Sequence, residues 1–363
     1  MTENEIIRHL SQNPSYLKKG NEFLSNKFNV STDTIKEIRM KLKDSNKQIC
    51  QSYHLDDSKW EVKQIWKGPK GDSIQFKPKE ESADYINAFK EFAETYELII
   101  DNEYEPKQEG DLNMVLCLFD VHLGRLAHKK YVDESTDLNL QKEDIQSIVN
   151  NLLYDIPNTV KKITIPIGND FFNVDNIFLQ TTKGTPQQNT SDLHEMFKSG
   201  LTILANLAIT MSIFADVELV LIPGNHDKLS STYLAVALEQ LFLSNKRISV
   251  DSSPIERKYR KLGNTVVGFA HGELKLEKYA SLLPFEAREM FSSCKYFEYL
   301  LGDKHHEKIF QSETGGVVVR HVSGLARKDN WTYQEGYVLS TRRAYAIFYH
   351  ETEGRCLERI YQL

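Results

Sequence analysis

The chain is poor in cysteine, with four in 363 residues. Cys50, Cys117, Cys294 and Cys356 are widely spaced and form no Cys-x-x-Cys pair. Their spacing argues against a disulfide scaffold and against a thiolate zinc site. We therefore expect reduced thiols in a cytoplasmic protein.

Long apolar runs and an excess of basic charge are also absent. The most apolar stretch, residues 201–215, is too short for a membrane span and contains Asn206, so no membrane association is expected. The N-terminal sequence MTENEIIRHL lacks the basic-then-apolar layout of a signal peptide, which again favours a cytoplasmic location. The formal net charge is −6, so any footprint for DNA or RNA has to be a local patch.

The composition is that of a globular protein, with 40% hydrophobic and 26% charged residues, and three regions differ in pattern. Residues 1–45 look helical. Residues 46–110 are charged and irregular, an expected linker or small subdomain with a turn signal at Gly68-Pro69-Lys70-Gly71, a helix over 81–96 and an acidic stretch over 103–110.

In the third region, residues 111–363, short β-rich apolar runs alternate with helical patterns, which predicts a two-sheet α/β sandwich with largely parallel strands. Core strands are expected at 114–119, 163–167, 217–222, 266–270 and 296–301. Helices are expected at 142–154, 192–214, 232–242 and 276–291. Three C-terminal strands, at 317–322, 344–350 and 357–361, suggest the second sheet.

Polar residues of metal-binding type follow each of the five core strands. The five motifs are Asp120-Val121-His122-Leu123-Gly124, Gly168-Asn169-Asp170, Gly224-Asn225-His226-Asp227, His271-Gly272-Glu273 and Gly302-Asp303-Lys304-His305-His306. In open α/β sheets the ligand sits at the carboxyl ends of the strands, so these five loops are expected to converge.

The chemistry of these side chains suits transition metals. Asp120 and His122, two residues apart just past a strand end, can chelate one ion, and mixed carboxylate and imidazole ligands suit manganese, iron or zinc rather than calcium. Each motif alone has an ordinary explanation, such as a surface pair or an Asx turn, and it is their joint occurrence in order that indicates a site. His9, His54, His128, His194 and His350 lie outside the pattern, and His321 stays undecided at its edge.

The order Asp-x-His, Gly-Asp, Gly-Asn-His-Asp, His and Gly-His-x-His is the signature of the calcineurin-like metallophosphoesterases, and residues 113–346 resemble that superfamily. Leu123-Gly124 and Phe171-Phe172 are more similar to the SbcCD-type DNA repair nucleases. The resemblance implies two divalent metal ions, Mn²⁺ before Mg²⁺, Fe²⁺ or Zn²⁺. It also implies hydrolysis by a metal-activated hydroxide, because two ions can clamp the attacking and leaving oxygens of a phosphoester.

The resemblance further implies a role for each residue. Metal one would be held by Asp120, His122 and His305, metal two by Asn225 and His271, and Asp170 would bridge the two ions. His226 would stay off the metals and would stabilise the transition state or protonate the leaving oxygen. Asp227 would hydrogen-bond to that histidine and orient it.

Two departures from the signature affect these roles. The family has Gly-Asp where this chain has Gly168-Asn169-Asp170, and we align Asp170 with the bridging carboxylate because an amide bridges two cations poorly. In the last motif Asp303 takes the place of a metal-two histidine, which favours manganese or magnesium over zinc. In the alternative, Asp303 is a helper and His306 is recruited.

The N-terminal region has the pattern of two short helices joined by a turn at Asn29-Val30, with Ser31 capping the second helix. Lys36, Arg39 and Lys43 share one face of that helix. This resembles a helix-turn-helix whose second helix enters the major groove of DNA. The alternative is a small helical domain for partner contact with a solvated basic face.

Together these features predict a nuclease that hydrolyses DNA phosphodiester bonds and is tethered to DNA by its N-terminal module; the pattern is also compatible with a homodimer. The alternative is a phosphatase or phosphodiesterase acting on small nucleotides or phosphoproteins, with a regulatory N-terminal module. A third class, a DNA-binding protein with a degenerate phosphoesterase domain, is opposed by the nearly complete ligand set. A basic groove leading to the metals would support nucleic acid, and a closed pocket would support small substrates.

Overall fold

The structure, a computed structural model, describes residues 5–6, 10, 19–52, 60–68, 71–78, 110–154, 156–311, 315–336 and 341–363. The chain forms two compact units, Met1–Ala83 and Asp84–Leu363. The helix expected over 81–96 and nearly all of the acidic stretch over 103–110 lie outside the described residues. No helix in the described ranges is both long enough and apolar enough to cross a membrane.

The elements with described bounds in the first unit are α1 (Asn21–Phe28), α2 (Thr32–Ser52), β1 (Trp60–Gly68) and β2 (Gly71–Pro78), of which the strands form a hairpin. The turn between the helices is confirmed, because Asn29 ends α1 in the left-handed conformation (φ 52°). The capping role of Ser31 is also confirmed, since its Oγ accepts from the backbone N–H of Thr34 at 3.1 Å. The second helix is not short, however: α2 has 21 residues and continues through the expected boundary at residue 45.

A small apolar core holds the helices of this unit together. Its buried side chains are Ile6, Leu10, Leu24, Phe28, Ile35 and Ile38. On α2 the spacing of the last two places one apolar face against α1, as an amphipathic helix requires. The turn signal at residues 68–71 lies where the antiparallel strands β1 and β2 meet, with Gly68 paired to Gly71.

The second unit is the α/β part. Its strands are β3 (Leu112–Cys117), β4 (Val160–Gly168), β5 (Asp216–Ile222), β6 (Ile248–Asp251), β7 (Arg257–Leu262), β8 (Thr265–Ala270), β9 (Tyr296–Leu301), β10 (Lys308–Gln311), β11 (Val317–His321), β12 (Arg343–His350) and β13 (Gly354–Gln362). The helices in its described residues are α3 (Leu138–Leu153), α4 (Leu193–Ser212), α5 (Lys228–Leu241), α6 (Leu276–Glu286), α7 (Arg288–Ser293) and α8 (Asn330–Gln334). The single helix expected over 276–291 is two helices, since α6 ends shortly after Pro284.

These strands form two sheets, as predicted, with the orders β13-β12-β3-β4-β5-β6 and β10-β11-β9-β8-β7. Parallel pairing joins β3 through β6 in one sheet and β8, β9 and β11 in the other. The division between sheets differs from the expected one. The core strands β8 and β9 belong to the second sheet, whereas the C-terminal strands β12 and β13 complete the first by antiparallel pairing.

The layers follow from which faces are apolar. Along β3, Met114 and Leu116 face one core while Val115 and Cys117 face another, so the strand is buried on both sides. The first core lies under α3, α4 and α5, and the second lies between the sheets. A third core joins the second sheet to α6. The result is a helix–sheet–sheet–helix sandwich whose two sheets both end in polar loops.

Candidate metal centre

Loops from both sheets are tied together by hydrogen bonds at the carboxyl ends of their strands. The backbone N–H of Asp120 donates to the carbonyl of Asn169 (3.1 Å), and the N–H of Asn169 donates to the carbonyl of Ile222 (2.6 Å). The N–H of Asp303, from the second sheet, donates to Asp120 Oδ1 at 3.0 Å. The structure therefore confirms the prediction that the strand-end loops converge.

Left-handed backbone is concentrated in these loops. Among the described residues eight other than glycine have positive φ, and six of them belong to the motifs: Asp120, His122, Asn169, Asp170, Asp303 and His305. Such conformations cost on the order of 1–3 kcal/mol each and persist where the surrounding structure holds them. The loops therefore keep an unfavourable backbone conformation, which directs their side chains toward one point.

Gly224 shows why the third motif needs glycine. A Cβ at this position would lie 2.1 Å from Asp170 Oδ1 and 2.7 Å from Asp227 Oδ1. The loop after β5 can therefore approach the Asp170 carboxylate only because residue 224 has no side chain. The backbone N–H of His226 uses this approach to donate to Asp170 Oδ1 at 2.8 Å.

The motif side chains fall into three overlapping groups whose ligand atoms lie within 4.8 Å of one another. The groups are Asp120 with His122 and His305, Asp120 with Asp170 and His271, and His122 with Asp170 and His226. Asp170 lies between two imidazoles, since its Oδ2 is 3.9 Å from His122 Nε2 and 3.4 Å from His271 Nε2. The first group is the set expected around metal one, and the second contains His271, expected at metal two, with Asp170 in a position that could bridge.

The bonding of these atoms tests whether a cation fits here. Asp120 and His122 are 0% and 1% exposed, and Asp120 Oδ2, both ring nitrogens of His122 and His271 Nε2 are buried without a hydrogen-bond partner in the described structure. Buried polar atoms are normally satisfied. Burial also raises the pKa of Asp120 to about 7, so this carboxylate needs a positive countercharge to stay ionised. Divalent cations would satisfy these atoms, and the residues fit them.

His271 is held by Asn169, the extra residue by which Gly168-Asn169-Asp170 differs from the Gly-Asp motif of the family it resembles. The Nδ1 of His271 donates to Asn169 Oδ1 at 2.6 Å, which leaves Nε2 facing Asp170 and, at 3.8 Å, Asp303 Oδ1. Burial lowers the pKa of His271, but the carboxylates of Asp170, Asp120 and Asp303 outweigh burial, and the pKa is raised. The imidazole therefore sits in a strongly negative cluster.

The remaining candidates for the second metal site are Asp303, His306 and Asn225, which line one cavity. Asp303 faces His271 with one oxygen and bonds Lys304 Nζ with the other, whereas His306 is an exposed residue of the same loop. This geometry favours Asp303 over His306. Asn225 is half-buried and lines the cavity.

The orienting role expected of Asp227 falls to another group. His226 Nδ1 donates to the backbone carbonyl of Asn173 at 3.1 Å, while Asp227 Oδ2 accepts from the backbone N–H of Phe172 at 3.0 Å. Asp227 follows His226 directly, and its carboxylate is turned into the loop after β4. The prediction for Asp227 is thus corrected: it braces that loop, and Asn173 orients the histidine.

His321, undecided from the sequence, supports the last loop. It is buried, and its Nδ1 donates to the carbonyl of Gly302 at 2.6 Å. Gly302 immediately precedes Asp303, so His321 braces the backbone that carries Asp303 and His305.

Arg125 and the rim segment, which we define as residues 326–332, were not predicted from the sequence. Both line a cavity of about 1070 Å³ that also contains His122, Asp170 and His226. Arg125 directly follows the Asp-x-His-Leu-Gly motif, and this position could have identified it as a candidate site residue from the sequence. Nothing comparable marks the rim segment, which reaches the cavity only through folding.

Two of the three residues predicted to bind DNA have their cationic groups engaged within the first unit. Lys36 Nζ lies 2.8 Å from Asp33 Oδ1, and Arg39 Nη2 donates to the carbonyl of Lys19. The side chain of Lys43 lies outside the described part of the chain. DNA binding by this unit stays a prediction.

No family model matches this chain, and no curated protein sequence matches it. Similar solved structures include a novel archaeal phosphodiesterase (9% identity, TM-score 0.34, 69% of this chain and 99% of that one). Others are a dimetal phosphatase from Danio rerio (7%, 0.35, 69% and 99%) and a predicted phosphoesterase from Streptococcus pneumoniae (9%, 0.27, 69% and 98%). At such identities and TM-scores the likeness transfers no activity, and function has to be argued from the site.

Proposed function

We propose that the unit Asp84–Leu363 is a metal-dependent phosphoesterase of the calcineurin-like type. The observation that carries the proposal is the pair of overlapping ligand groups that share Asp120, with unpartnered buried atoms at their centre. A structural role alone would not account for so many unsatisfied polar atoms in one place.

Two divalent cations fit these groups. Asp120, His122 and His305 would hold one, His271, Asn225 and Asp303 the other, and Asp170 would bridge. When bound, such a pair neutralises phosphoryl charge and activates water. Three carboxylates make the set hard, which favours Mn²⁺ or Mg²⁺ before Fe²⁺ or Zn²⁺.

His226 is the proton carrier of the proposed reaction. Because its Nδ1–H is committed to the Asn173 carbonyl, its Nε2 is the nitrogen left for exchange in the cavity. Burial lowers the pKa of His226, and a phosphoryl anion beside the ring would favour its protonated form. From this position it stabilises the transition state or protonates the leaving oxygen.

For the substrate we propose a phosphodiester bond of nucleic acid. The cavity of about 1070 Å³ is slightly larger than the ~300–1,000 Å³ usual for small-ligand sites. Trp331, 61% exposed, lies on its rim, and exposed aromatic rings provide stacking surfaces for bases.

The second candidate is hydrolysis of a small nucleotide or other small phosphodiester, and the charge of the rim favours it. Arg327 and Arg342 both bind Asp144 (2.7 and 2.6 Å), and Lys328 Nζ lies 2.6 Å from Asp133 Oδ2. Cations paired in this way form a weaker phosphate track than unpaired ones.

The experiment compares substrates under one condition. Protein with Mn²⁺ is incubated with labelled linear duplex DNA, circular single-stranded DNA, RNA and bis(p-nitrophenyl) phosphate. We expect metal-dependent hydrolysis that Asp170→Asn abolishes and that Asp111→Asn, at an exposed position just before β3, retains. Cleavage of the chromogenic ester without cleavage of any polymer would select the small-substrate candidate, and no metal-dependent hydrolysis of any substrate would refute the phosphoesterase proposal.

A further inference from the structure

Arg125 is a buried cation beside the candidate metal centre. It is 5% exposed and lines the cavity with His122, His226 and His305. Its positive charge lies close enough to interact with all three of these imidazoles. The guanidinium thus acts electrostatically on the groups that would bind metal and carry the proton.

Neighbouring residues hold two of the three nitrogens of this guanidinium. Its Nε donates to Asn173 Oδ1 (3.3 Å) and lies 3.6 Å from Asp329 Oδ2, and its Nη1 donates to the carbonyl of Arg327 (3.2 Å). Asn173 therefore holds two groups at once, Arg125 through its amide oxygen and His226 through its backbone carbonyl.

The third nitrogen of the guanidinium is Nη2. Within the described residues Arg125 Nη2 has no hydrogen-bond partner, and it is not among the buried unpaired atoms. It is therefore open to the cavity that Arg125 lines. An arginine with two nitrogens held by neighbouring residues and the third left to donate is preorganised to bind an anion.

A purely structural role accounts for Arg125 less well. Burying a guanidinium is costly unless it is fully paired, and among the described residues Asp329 supplies the only carboxylate within 4.0 Å of it, with Asp170 and Asp120 farther away. That carboxylate is also engaged elsewhere, because Asp329 Oδ1 caps α8 by accepting from the N–H of Thr332 at 2.8 Å. Neutral donors would be enough to hold the rim segment in place, so a structural role does not explain why residue 125 carries a positive charge.

We propose that Arg125 binds a non-bridging oxygen of the substrate phosphoryl group through Nη2 and sets its position relative to His226. This inference rests on the proposed function, since it assigns a phosphoryl anion to the same cavity. Charge-assisted hydrogen bonds from arginine to phosphate are among the stronger polar contacts in proteins. Asn173 holds Arg125 with its side chain and His226 with its backbone carbonyl, so this one residue sets the distance between the phosphoryl group and the proton carrier.

The test measures binding of inorganic phosphate to the metal-loaded full chain by calorimetry, so that it does not depend on turnover. Arg125→Lys keeps the charge but cannot reproduce the forked donors, and we expect ~10–100-fold weaker phosphate binding, the scale of one hydrogen bond to a charged group. Metal content by elemental analysis should stay at the wild-type value. Arg257→Lys, in the exposed pair with Glu286, is the matched control and should bind phosphate like the wild type.

A second variant separates Arg125 from His226. Asn173→Ala removes the amide oxygen that accepts from Arg125 but keeps the carbonyl that orients His226, so phosphate affinity should fall by roughly 3–10-fold. Phosphate affinity within twofold of wild type in both variants would overturn the assignment of Arg125. Phosphate binding that depends on Arg125, in a protein that hydrolyses no phosphoester, would instead uphold this inference and remove the proposed function.

Discussion

The Nδ1 of His271 donates to Asn169 Oδ1 across 2.6 Å, and the bond joins the loop after β8 in one sheet to the loop after β4 in the other. An amide oxygen can only accept, so the proton of the neutral ring lies on Nδ1 and the lone pair of Nε2 points toward Asp170 and Asp303. Asn169, the extra residue in Gly168-Asn169-Asp170, thus has a structural role. It selects the tautomer in which His271 can bind a metal.

Asn169→Ala should therefore weaken the second metal site more than the first. Partners that orient a metal-binding histidine typically contribute ~10–100-fold in affinity. Calorimetric titration with Mn²⁺ should resolve two sites in the wild type and one strongly weakened site in the variant. Asn206→Ala, at an exposed position on α4, is the control, and equal weakening of both sites would contradict the assigned role.

Metal removal should destabilise the protein. Wild-type protein is expected to bind two divalent ions per chain, and ions present at 100 times their dissociation constant add about 2.7 kcal/mol per site to the free energy of unfolding. A chelator should then lower the melting temperature. Asp170→Asn should lose metal and activity together and should show no response to chelator; a chelator response in that variant equal to the wild type's would place the ions elsewhere.

His226→Ala separates catalysis from metal binding. Since His226 belongs to one of the three ligand groups, distance alone does not decide its role. We expect metal content near the wild-type value and a kcat lower by roughly two to four orders of magnitude, the usual scale for a lost general acid. Elemental analysis beside steady-state kinetics measures both, and loss of an ion would make His226 a ligand instead.

The DNA tether is tested on the full chain. Alanine at Lys36, Arg39 and Lys43 should weaken binding to duplex DNA and flatten the log–log salt dependence by about 0.9 for each phosphate that the variant no longer neutralises. In the structure Lys36 pairs with Asp33 and Arg39 with a backbone carbonyl, so DNA has to compete for both. An unchanged slope and affinity would remove the tether and leave the phosphoesterase proposal intact, because that rests on Asp120 through His305.

Local chemistry was enough to predict a substantial part of the molecule. Each core strand is a short apolar run followed by polar residues, and parallel strands bring their carboxyl ends to one edge, so the meeting of Asp120 with Asp170, and of His271 with His305, follows from the order of strands within each sheet. The cap at Ser31 and the left-handed turn at Asn29 are equally local, since they depend on neighbouring side chains and backbone.

Folding decided what depends on partners distant in the chain. An apolar strand indicates that both faces are buried but not which strand it pairs with, so the transfer of β8 and β9 to the second sheet was not predictable from pattern. Asp227 binds the loop after β4 rather than its neighbour His226, and Asn169, Asn173 and Arg125 acquire their contacts from residues about 50 to 200 positions away. Sequence spacing carries no information about such bonds, because their geometry is set by how the strand-end loops pack together, within one sheet for Asp227 and Asn173 and between sheets for Asn169.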